Sequence, residues 1–359
     1  MKISIATEKM KSAVSKVIKA AGNNNLMPIT SMIGIKVEQG TMKLSCTDNT
    51  NTLEVLLEVV HSEDMSITVG IDTFSKLIAK TTSENIVLEV EENNLKISGN
   101  GEYKIPLVID EEGVVEFPFA LPIISSPYDI SLPYLISVNN ANKAALAKTL
   151  EDPFLTGYYF TDKVISTDRE VICFNNIKVF NEDLLLNQQA INLIVLSDGD
   201  KVSVSKHENK LMLSCKDMIL YTSEMEGKQN YPVTDIMEYV KVEFPSKCTV
   251  TRGLLVAVLD RLSLFLDPYD KNGAYFNFTA EGLTIQSKHS SSIETIRYLE
   301  STEFSPFACC VDIPAFKEQI DSIALDKIEI HYGIDNAIKI TCGAITQIIS
   351  LLEDDAANE

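Results

Sequence analysis

Apolar and polar residues alternate over many short segments of the chain, and longer segments with helical periodicity interrupt this alternation. The alternating segments are typical of strands that bury one face of an antiparallel sheet. Two apolar stripes at helical spacing predict helices over residues 7–21 and 72–82. The stripes consist of Met10, Val14, Val17, Ile18 and Ala21 in the first helix, and of Phe74, Leu77, Ile78 and Thr81 in the second.

A short strand pattern, in which two apolar residues, separated by one residue in most copies, precede a polar residue, recurs six times along the chain. The copies are Met42–Ser45, Leu95–Ser98, Val164–Thr167, Leu211–Ser214, Leu283–Gln286 and Ile338–Thr341. Every second copy is separated by about 120 residues, which is typical of a repeated structural unit. The spacing predicts three domains, over residues 1–122, 123–244 and 245–359, each built from two half-units.

Each half-unit begins with a strand and a helix and continues with antiparallel strands. The other helices are predicted near residues 142–150, 187–197, 251–266 and 313–323. Prolines mark breaks in strand pairing over Phe117–Pro127 and around Phe244–Ser246, which we interpret as linkers. The predicted fold class is α+β, with helices covering antiparallel sheets.

The composition is that of an ordinary globular protein, with 45% hydrophobic and 23% charged residues. No apolar run approaches the length of about 20 residues that a membrane helix requires. The seven cysteines and four histidines lack the spacing of a disulfide framework or a metal site. We therefore expect a cytoplasmic protein with reduced cysteines, no metal, no cofactor and no membrane partner.

The net charge is −20, which argues against a uniformly nucleic-acid-binding surface. The predicted helices, however, contain 11 of the 31 basic residues and only 5 of the 51 acidic ones. Lysine is also simply a good helix former, so the segregation has a second explanation. If the helices share a face, that face would attract a polyanion. Its cations are Lys9, Lys11, Lys16, Lys19, Lys76, Lys80, Lys143, Lys148, Arg252, Arg261 and Lys317.

Asp48 and Asp168 occupy matching positions of the repeat. As catalytic carboxylates they would need a partner group and a cleft, whereas as turn residues they need only their own backbone. We favour the turn. The sequence contains no recognisable pairing of a nucleophile with a base, so we expect a protein that is not an enzyme.

Several segments resemble the bacterial sliding clamp, the beta subunit of DNA polymerase III, of which this chain would be a divergent member. They are the opening Met1-Lys-Ile-Ser-Ile5, Ser45-Cys-Thr-Asp-Asn-Thr-Asn-Thr-Leu-Glu54, Gly157-Tyr-Tyr-Phe-Thr161, Ser166-Thr-Asp-Arg-Glu-Val171 and Asn230-Tyr-Pro-Val-Thr-Asp-Ile-Met237. The order and spacing of these motifs carry the resemblance across the whole chain. It implies three clamp domains in a crescent that dimerises into a ring.

The resemblance also implies that double-stranded DNA passes through the ring and is contacted at its phosphates, without sequence readout. The helix cations would then face DNA. Tyr158 and Tyr159 match aromatic residues near DNA in the family, although both could equally pack on the sheet. The loop Gly22–Pro28 carries three asparagines where the family often has an arginine, which predicts weaker DNA contact there.

A second implied site is a hydrophobic pocket for short peptides of the replicative polymerase, the clamp loader and repair enzymes. The matching positions are Thr167, Arg169, Ile172, Pro232, Met237, Ile348, Ile349, Leu351 and Leu352. The segment Ser350–Glu353 and the acidic tail after it depart from the family pattern. The pocket could keep its role with another preference, the tail could mask it, or these residues could simply close the last sheet.

Three hypotheses follow from the sequence. The first is a homodimeric DNA sliding clamp that acts as a processivity factor. The second is a clamp-like paralogue, encoded by a phage or plasmid, that serves as a specialised partner hub. The third is an enzyme or β-rich structural protein unrelated to DNA.

Overall fold

The computed structural model describes residues 2–22, 24, 26–59, 64–111, 113–267, 269, 272–288, 290–302 and 305–353. The chain divides into two compact units. The first unit combines the first 133 residues with Gln189–Glu224, and the second combines Tyr134–Gln188 with the chain from Met225 onward.

The described residues form α-helices and short 3-10 turns between many strands. The helices are α1 (Thr7–Val17), α2 (Ile71–Lys80), α3 (Leu132–Asn142), α4 (Gln188–Ile194), α5 (Val233–Val240), α6 (Arg252–Leu262) and α7 (Ile313–Asp321). The 3-10 turns are Ile18–Ala20, Pro28–Ser31, Lys143–Ala145, Pro153–Thr156, Lys228–Asn230 and Ser263–Phe265.

The strands are short and follow one another closely in the sequence. In the first part of the chain they are β1 (Lys2–Ala6), β2 (Met32–Glu38), β3 (Thr41–Thr47), β4 (Thr52–Glu58), β5 (Met65–Gly70), β6 (Asn85–Glu91), β7 (Asn94–Ser98), β8 (Glu102–Pro106), β9 (Ile109–Asp110), β10 (Gly113–Val114) and β11 (Tyr128–Ser131). In the middle they are β12 (Gly157–Phe160), β13 (Val164–Thr167), β14 (Val171–Asn175), β15 (Leu184–Asn187), β16 (Lys201–His207), β17 (Lys210–Ser214) and β18 (Met218–Ser223). In the last part they are β19 (Ser246–Thr251), β20 (Gly273–Phe278), β21 (Leu283–Ser287), β22 (Ile293–Ile296), β23 (Glu300–Thr302), β24 (Phe307–Asp312), β25 (Lys327–Ile334), β26 (Ala337–Cys342) and β27 (Ile345–Ser350).

These strands pair antiparallel, which confirms the predicted α+β class. The first unit contains a four-stranded sheet in the order β1-β6-β7-β8, the β9-β10 pair, and an eight-stranded sheet in the order β11-β16-β17-β18-β4-β3-β2-β5. The second unit contains a nine-stranded sheet in the order β15-β12-β13-β14-β27-β26-β25-β19-β23 and a four-stranded sheet in the order β22-β21-β20-β24.

The two large sheets join strands that lie far apart in sequence. Strand β4 pairs with β18, with Leu53 opposite Leu220, and strand β14 pairs with β27, with Ile172 opposite Ile348. Each pairing removes two exposed sheet edges, whose backbone groups would otherwise lack partners. The sheets therefore extend past the domain borders predicted after residues 122 and 244, and those borders remain a prediction.

The stripe predicted for the first helix is the buried face of α1. Met10, Val14 and Val17 are buried, and α1 packs beside α2 and against β3 and β4. In α2 the buried residues are Phe74 and Ile78. Both helices thus form because one apolar face is covered, as the spacing predicted.

The helix predicted over 142–150 is displaced in the structure. Helix α3 ends at Asn142, and only the 3-10 turn Lys143–Ala145 follows it. Pro133 lies in the first turn of α3, where its missing N–H costs no hydrogen bond. Leu135 and Val138 bury the inner face of this helix. The prediction was therefore wrong for this segment.

The proline-rich segment 115–127 contains neither helix nor strand, as the sequence indicated. No helix in the described part of the chain combines the length and apolarity needed to cross a membrane. No group of three metal-ligating side chains comes together among the described residues.

Candidate nucleic-acid and peptide interfaces

Three lysines of the first unit are exposed cations on the helix surface. Lys9, Lys19 and Lys80 make no ion pair with any described carboxylate, and the main-chain carbonyl of Lys19 accepts a hydrogen bond from Gln189. These lysines therefore keep their charge available to an anionic partner.

Two further lysines of the same helices pair with a carboxylate on their own helix. Lys11 Nζ lies 3.2 Å from Glu8 Oε1, and Lys76 pairs with Asp72. Such pairs, one turn apart and exposed, contribute only about 0.3–0.5 kcal/mol. A phosphate could replace either carboxylate at little cost.

Lys16 has a different role, although the sequence groups it with the other helix lysines. Its Nζ lies 2.5 Å from Asp198 Oδ2 and 2.8 Å from Asp217 Oδ2, and its side chain is only 14% exposed. Burial acts to lower the pKa of Lys16, but the hydrogen bonds to these carboxylates outweigh it, so the pKa is raised. Lys16 therefore forms ion pairs within the first unit, and the structure does not support it as a DNA-facing cation.

The two arginines of α6 in the second unit are also paired. Arg252 donates from Nε to the carbonyl of Ile320 at 3.0 Å and lies 3.6 Å from the Asp321 carboxylate. Arg261 donates two hydrogen bonds to the Glu294 carboxylate, at 2.8 and 2.6 Å. Because these partners neutralise their charges, Arg252 and Arg261 are weaker candidates for phosphate contact than the sequence predicted.

Three lysines complete the cations predicted for the second unit. Lys317 lies 2.6 Å from Asp321, and Lys148 lies 2.6 Å from Glu318. Lys143 is exposed at the end of α3 and pairs with no described carboxylate. The unpaired cations of the predicted set are therefore Lys9, Lys19, Lys80 and Lys143.

The paired tyrosines do not form an exposed platform. Tyr158 is 0% exposed, and its hydroxyl donates a hydrogen bond to Asn139 Oδ1 at 3.1 Å. Because Tyr158 is fully buried, the prediction that it contacts DNA is wrong. Its neighbour differs, since successive residues of β12 point to opposite sides of the sheet. Tyr159, on the other side, is half-buried and stacks on Tyr231 with ring centroids 4.9 Å apart.

The loop Gly22–Pro28 is described in part, since Asn23 and Asn25 lie outside the described residues. Asn24 accepts a hydrogen bond through Oδ1 from the backbone N–H of Leu26 at 3.0 Å. This is the turn-forming bond expected of an asparagine. The weaker DNA contact expected at this loop stays a prediction.

The predicted peptide site is built on the turn between β13 and β14. Thr167 Oγ1 donates to the carbonyl of Val171 at 2.7 Å, and Asp168 Oδ1 accepts from the backbone N–H of Glu170 and Val171 at 3.0 and 2.7 Å. Arg169 lies at the tip of the turn with a φ of 84°. Burial raises the pKa of Asp168, and the two N–H donors oppose that rise.

A cavity of about 340 Å³ opens beside this turn. It is lined by Phe154, Thr167, Arg169, Ile172, Asn230, Pro232, Asp235, Ile236 and Tyr239. The apolar side chains beneath it form a small core of Leu155, Ile165, Phe174, Leu185, Tyr231 and Ile236. Four of the predicted pocket residues, Thr167, Arg169, Ile172 and Pro232, are thus brought together here.

A second cavity of about 440 Å³ adjoins the first. It is lined by Arg169, Glu170, Ile172, Tyr239, Asp335, Asn336, Ala337, Ile348, Ser350, Leu351, Leu352 and Glu353. The two cavities share Arg169, Ile172 and Tyr239, and we call them together the peptide groove. Its wall includes Ile348 because β27 pairs with β14 and places Ile348 opposite Ile172.

Two predicted pocket residues do not line the peptide groove. Ile349 points to the other face of β27 and is buried in the large core of the second unit. Met237 packs against the small core on α5. Tyr239, Asp235 and Ile236, which do line the groove, were missed because helix α5 was not predicted. The signal was present, since apolar residues of Val233–Val240 recur at helical spacing.

Comparisons with known proteins agree with this architecture. Residues 1–115 match the family model of the DNA polymerase III beta subunit, N-terminal domain. No curated protein matches the chain in sequence.

Solved structures are similar over the whole chain. The DNA polymerase sliding clamp from Bacillus subtilis is 17% identical, covers 99% of both chains and has a TM-score of 0.86. The beta subunit from DNA polymerase of Streptococcus pyogenes is 17% identical, covers 99% of this chain and 100% of that one, and has a TM-score of 0.87. The DNA polymerase III beta subunit from Thermotoga maritima is 16% identical over 98% and 99%, with a TM-score of 0.85. The resemblance seen in the sequence is confirmed, and the chain has the sliding-clamp fold.

Proposed function

We propose that this protein is a DNA sliding clamp, a processivity factor that encircles duplex DNA and tethers the replicative polymerase. The observation that carries this proposal is the clamp fold over 99% of the chain, together with the beta-subunit match of residues 1–115. A fold alone does not fix a function, so the sites must support it independently. The alternative of a specialised partner hub is not favoured.

The first supporting site is the set of unpaired helix lysines. Lys9, Lys19, Lys80 and Lys143 would contact phosphates through a screened, sequence-independent attraction. The chain as a whole carries a net charge of −20, so DNA is repelled from most of its surface. Binding of this kind permits sliding, because no base-specific contact has to be broken.

Two copies of the chain would close the ring. Strand β8 is an edge strand of the first unit and carries the exposed Tyr103, and β22 is an edge strand of the second and carries the exposed Ile293. Near the end of α6, Leu264 is 79% exposed and Phe265 50% exposed. Exposed apolar residues beside free edges favour pairing with another chain, and a head-to-tail contact made twice would close a dimer.

The second supporting site is the peptide groove. Its apolar wall and its size suit short peptides from the polymerase and the clamp loader. In this proposal the protein is a cytoplasmic accessory factor that acts by binding and has no catalytic role of its own.

The proposal is tested by retention on circular DNA. The protein is dissociated in mild denaturant, mixed with nicked circular plasmid, and returned to native buffer so that rings close around the DNA. We expect the protein to co-elute with the plasmid after gel filtration at moderate salt, and to be released when a restriction enzyme linearises the plasmid. Equal retention on circular and linear DNA, or on neither, would refute encirclement.

The role of the helix lysines is tested in the same assay. Replacing Lys9, Lys19, Lys80 and Lys143 by Glu is expected to abolish retention while the thermal midpoint stays close to that of the wild type. The matched control replaces Lys178, Lys201, Lys210 and Lys241 by Glu; these are exposed lysines outside the helix set. Equal losses in the two variants would show that only net charge matters, and would remove the assignment of the helix surface.

A further inference from the structure

The peptide groove is rimmed by carboxylates. Asp235 lines the first cavity, and Glu170, Asp335 and Glu353 line the second. The only cation among the described lining residues is Arg169.

The charge of Arg169 is already neutralised. Its Nη2 lies 2.5 Å from the Asp152 carboxylate. The groove therefore presents an excess of negative charge to any occupant. Carboxylates that face solvent at the edge of a groove attract cations at distances up to the Debye length of about 8 Å.

The floor of the groove is apolar and partly open. Ile172, Ile348, Leu351 and Leu352 line it, and Tyr239, which is 48% exposed, lines both cavities. Two adjoining cavities with one shared wall can each take one large apolar side chain.

The chain's own acidic tail is a poor occupant of this groove. Residues 354–359 lie outside the described residues, but their sequence adds Asp354, Asp355 and Glu359 directly after Glu353. Like charges disfavour insertion of such a segment between the carboxylates of the rim. The same charges would strengthen the attraction for a cationic partner.

We propose that the peptide groove selects partner segments in which two apolar side chains are flanked by lysine or arginine residues. This inference rests on the proposed function, since it specifies which peptides the clamp tethers. The apolar pair occupies the two cavities, and the flanking cations lie against Asp235, Asp335 and Glu353. Arg169 stays paired with Asp152 and does not repel them.

Fluorescence anisotropy with three short labelled peptides tests the selection. The peptides share one Leu and one Phe as apolar anchors and differ only in flanking residues, which are Lys, Gln or Glu. We expect the lysine peptide to bind about tenfold more tightly than the glutamate peptide at low salt, since several weak ion pairs act together. The difference should shrink at high salt. Equal binding, or a preference for the glutamate peptide, would overturn the proposal.

Charge-neutralising variants test whether the carboxylates of the groove cause the preference for the lysine peptide. The variant with Asp235→Asn, Asp335→Asn and Glu353→Gln is expected to bind the lysine peptide several-fold more weakly and the glutamine peptide unchanged. The matched control carries Glu208→Gln, Glu281→Gln and Glu300→Gln, three exposed carboxylates that do not line the groove. If both variants lose the same affinity, the rim is not the source of selection and the proposal fails.

A truncation after Glu353 separates attraction by the tail from masking by it. We expect the truncated protein to bind the lysine peptide no more tightly than the full chain. Tighter binding of all three peptides would show that the tail occupies the groove, contrary to the proposal. Failure of every peptide to bind would also overturn the proposal, whereas the proposed clamp function is judged separately by retention on circular DNA.

Discussion

Asp48 and Asp168 hold the same position in two copies of one turn. Asp48 Oδ1 accepts hydrogen bonds from the backbone N–H groups of Thr50 and Asn51 at 2.9 and 2.6 Å. Asp168 Oδ1 accepts the same two bonds from Glu170 and Val171. The residue after each aspartate has a positive φ, 80° at Asn49 and 84° at Arg169. The repeat seen in the sequence is therefore repeated in hydrogen-bond geometry, and the turn interpretation of both aspartates is confirmed.

The turn predicts different effects on stability for two substitutions of Asp168. Burial raises the pKa of Asp168, so its charge costs stability near neutral pH while its Oδ1 is needed as an acceptor. Asp168→Asn keeps the acceptor and is expected to leave the free energy of unfolding unchanged or higher. Asp168→Ala removes the acceptor and should lower it by about 1 kcal/mol. Urea denaturation measures both, and equal destabilisation by the two variants would contradict this account.

Lys16 and Lys19 offer a matched comparison on neighbouring turns of one helix segment. Lys16→Met leaves the Asp198 and Asp217 carboxylates without their shared cation, and we expect the free energy of unfolding to fall by roughly 1–3 kcal/mol. Lys19→Met removes an exposed cation and should change it by less than about 0.5 kcal/mol. Thermal denaturation of the two variants and the wild type measures both changes in stability. Similar midpoints would mean that the Lys16 ion pairs contribute nothing to stability.

Glu54 predicts a pH dependence of stability. It is 1% exposed, its nearest cation is Lys43 Nζ at 3.7 Å, and burial raises its pKa despite that lysine. As the pH rises from the ordinary carboxyl pKa to the raised one, the unfolded chain ionises first, so the free energy of unfolding falls over that interval. Glu54→Gln should therefore be more stable at pH 7, by roughly 1 kcal/mol, and lack this part of the pH dependence.

Denaturation of the wild type and Glu54→Gln at several pH values tests this prediction. Glu89→Gln serves as the control, because Glu89 lies in a strand of the same unit with a more exposed side chain. A lower stability of Glu54→Gln at pH 7 would show that the Lys43 interaction outweighs the cost of burial.

The sequence predicted the parts of the fold that depend on local pattern. The stripe of Met10, Val14 and Val17 specified α1, and the Thr167–Asp168 turn placed Arg169 and Ile172 at the groove. Both signals lie within a few residues of one another in the chain, where spacing determines which side chains share a face.

Other features depend on contacts between distant segments and could not be read locally. Lys16 reaches partners 182 and 201 residues away, so its sequence neighbourhood gives no sign that it is paired. Tyr158 and Tyr159 are adjacent and chemically identical, and only the register of β12 decides which is buried. The groove residues of α5 were missed for a different reason, because this helix was not predicted although its apolar residues recur at helical spacing.

Leu264 and Phe265 bear on the central claim that two copies close into a ring. Multi-angle light scattering of the wild type is predicted to give a particle of twice 39.8 kDa, and negative-stain images should show a hollow ring. The double variant Leu264→Asp and Phe265→Asp should give folded particles of 39.8 kDa without a ring. A wild-type protein that stays at the single-chain mass, or a two-chain particle with no opening, would contradict the account.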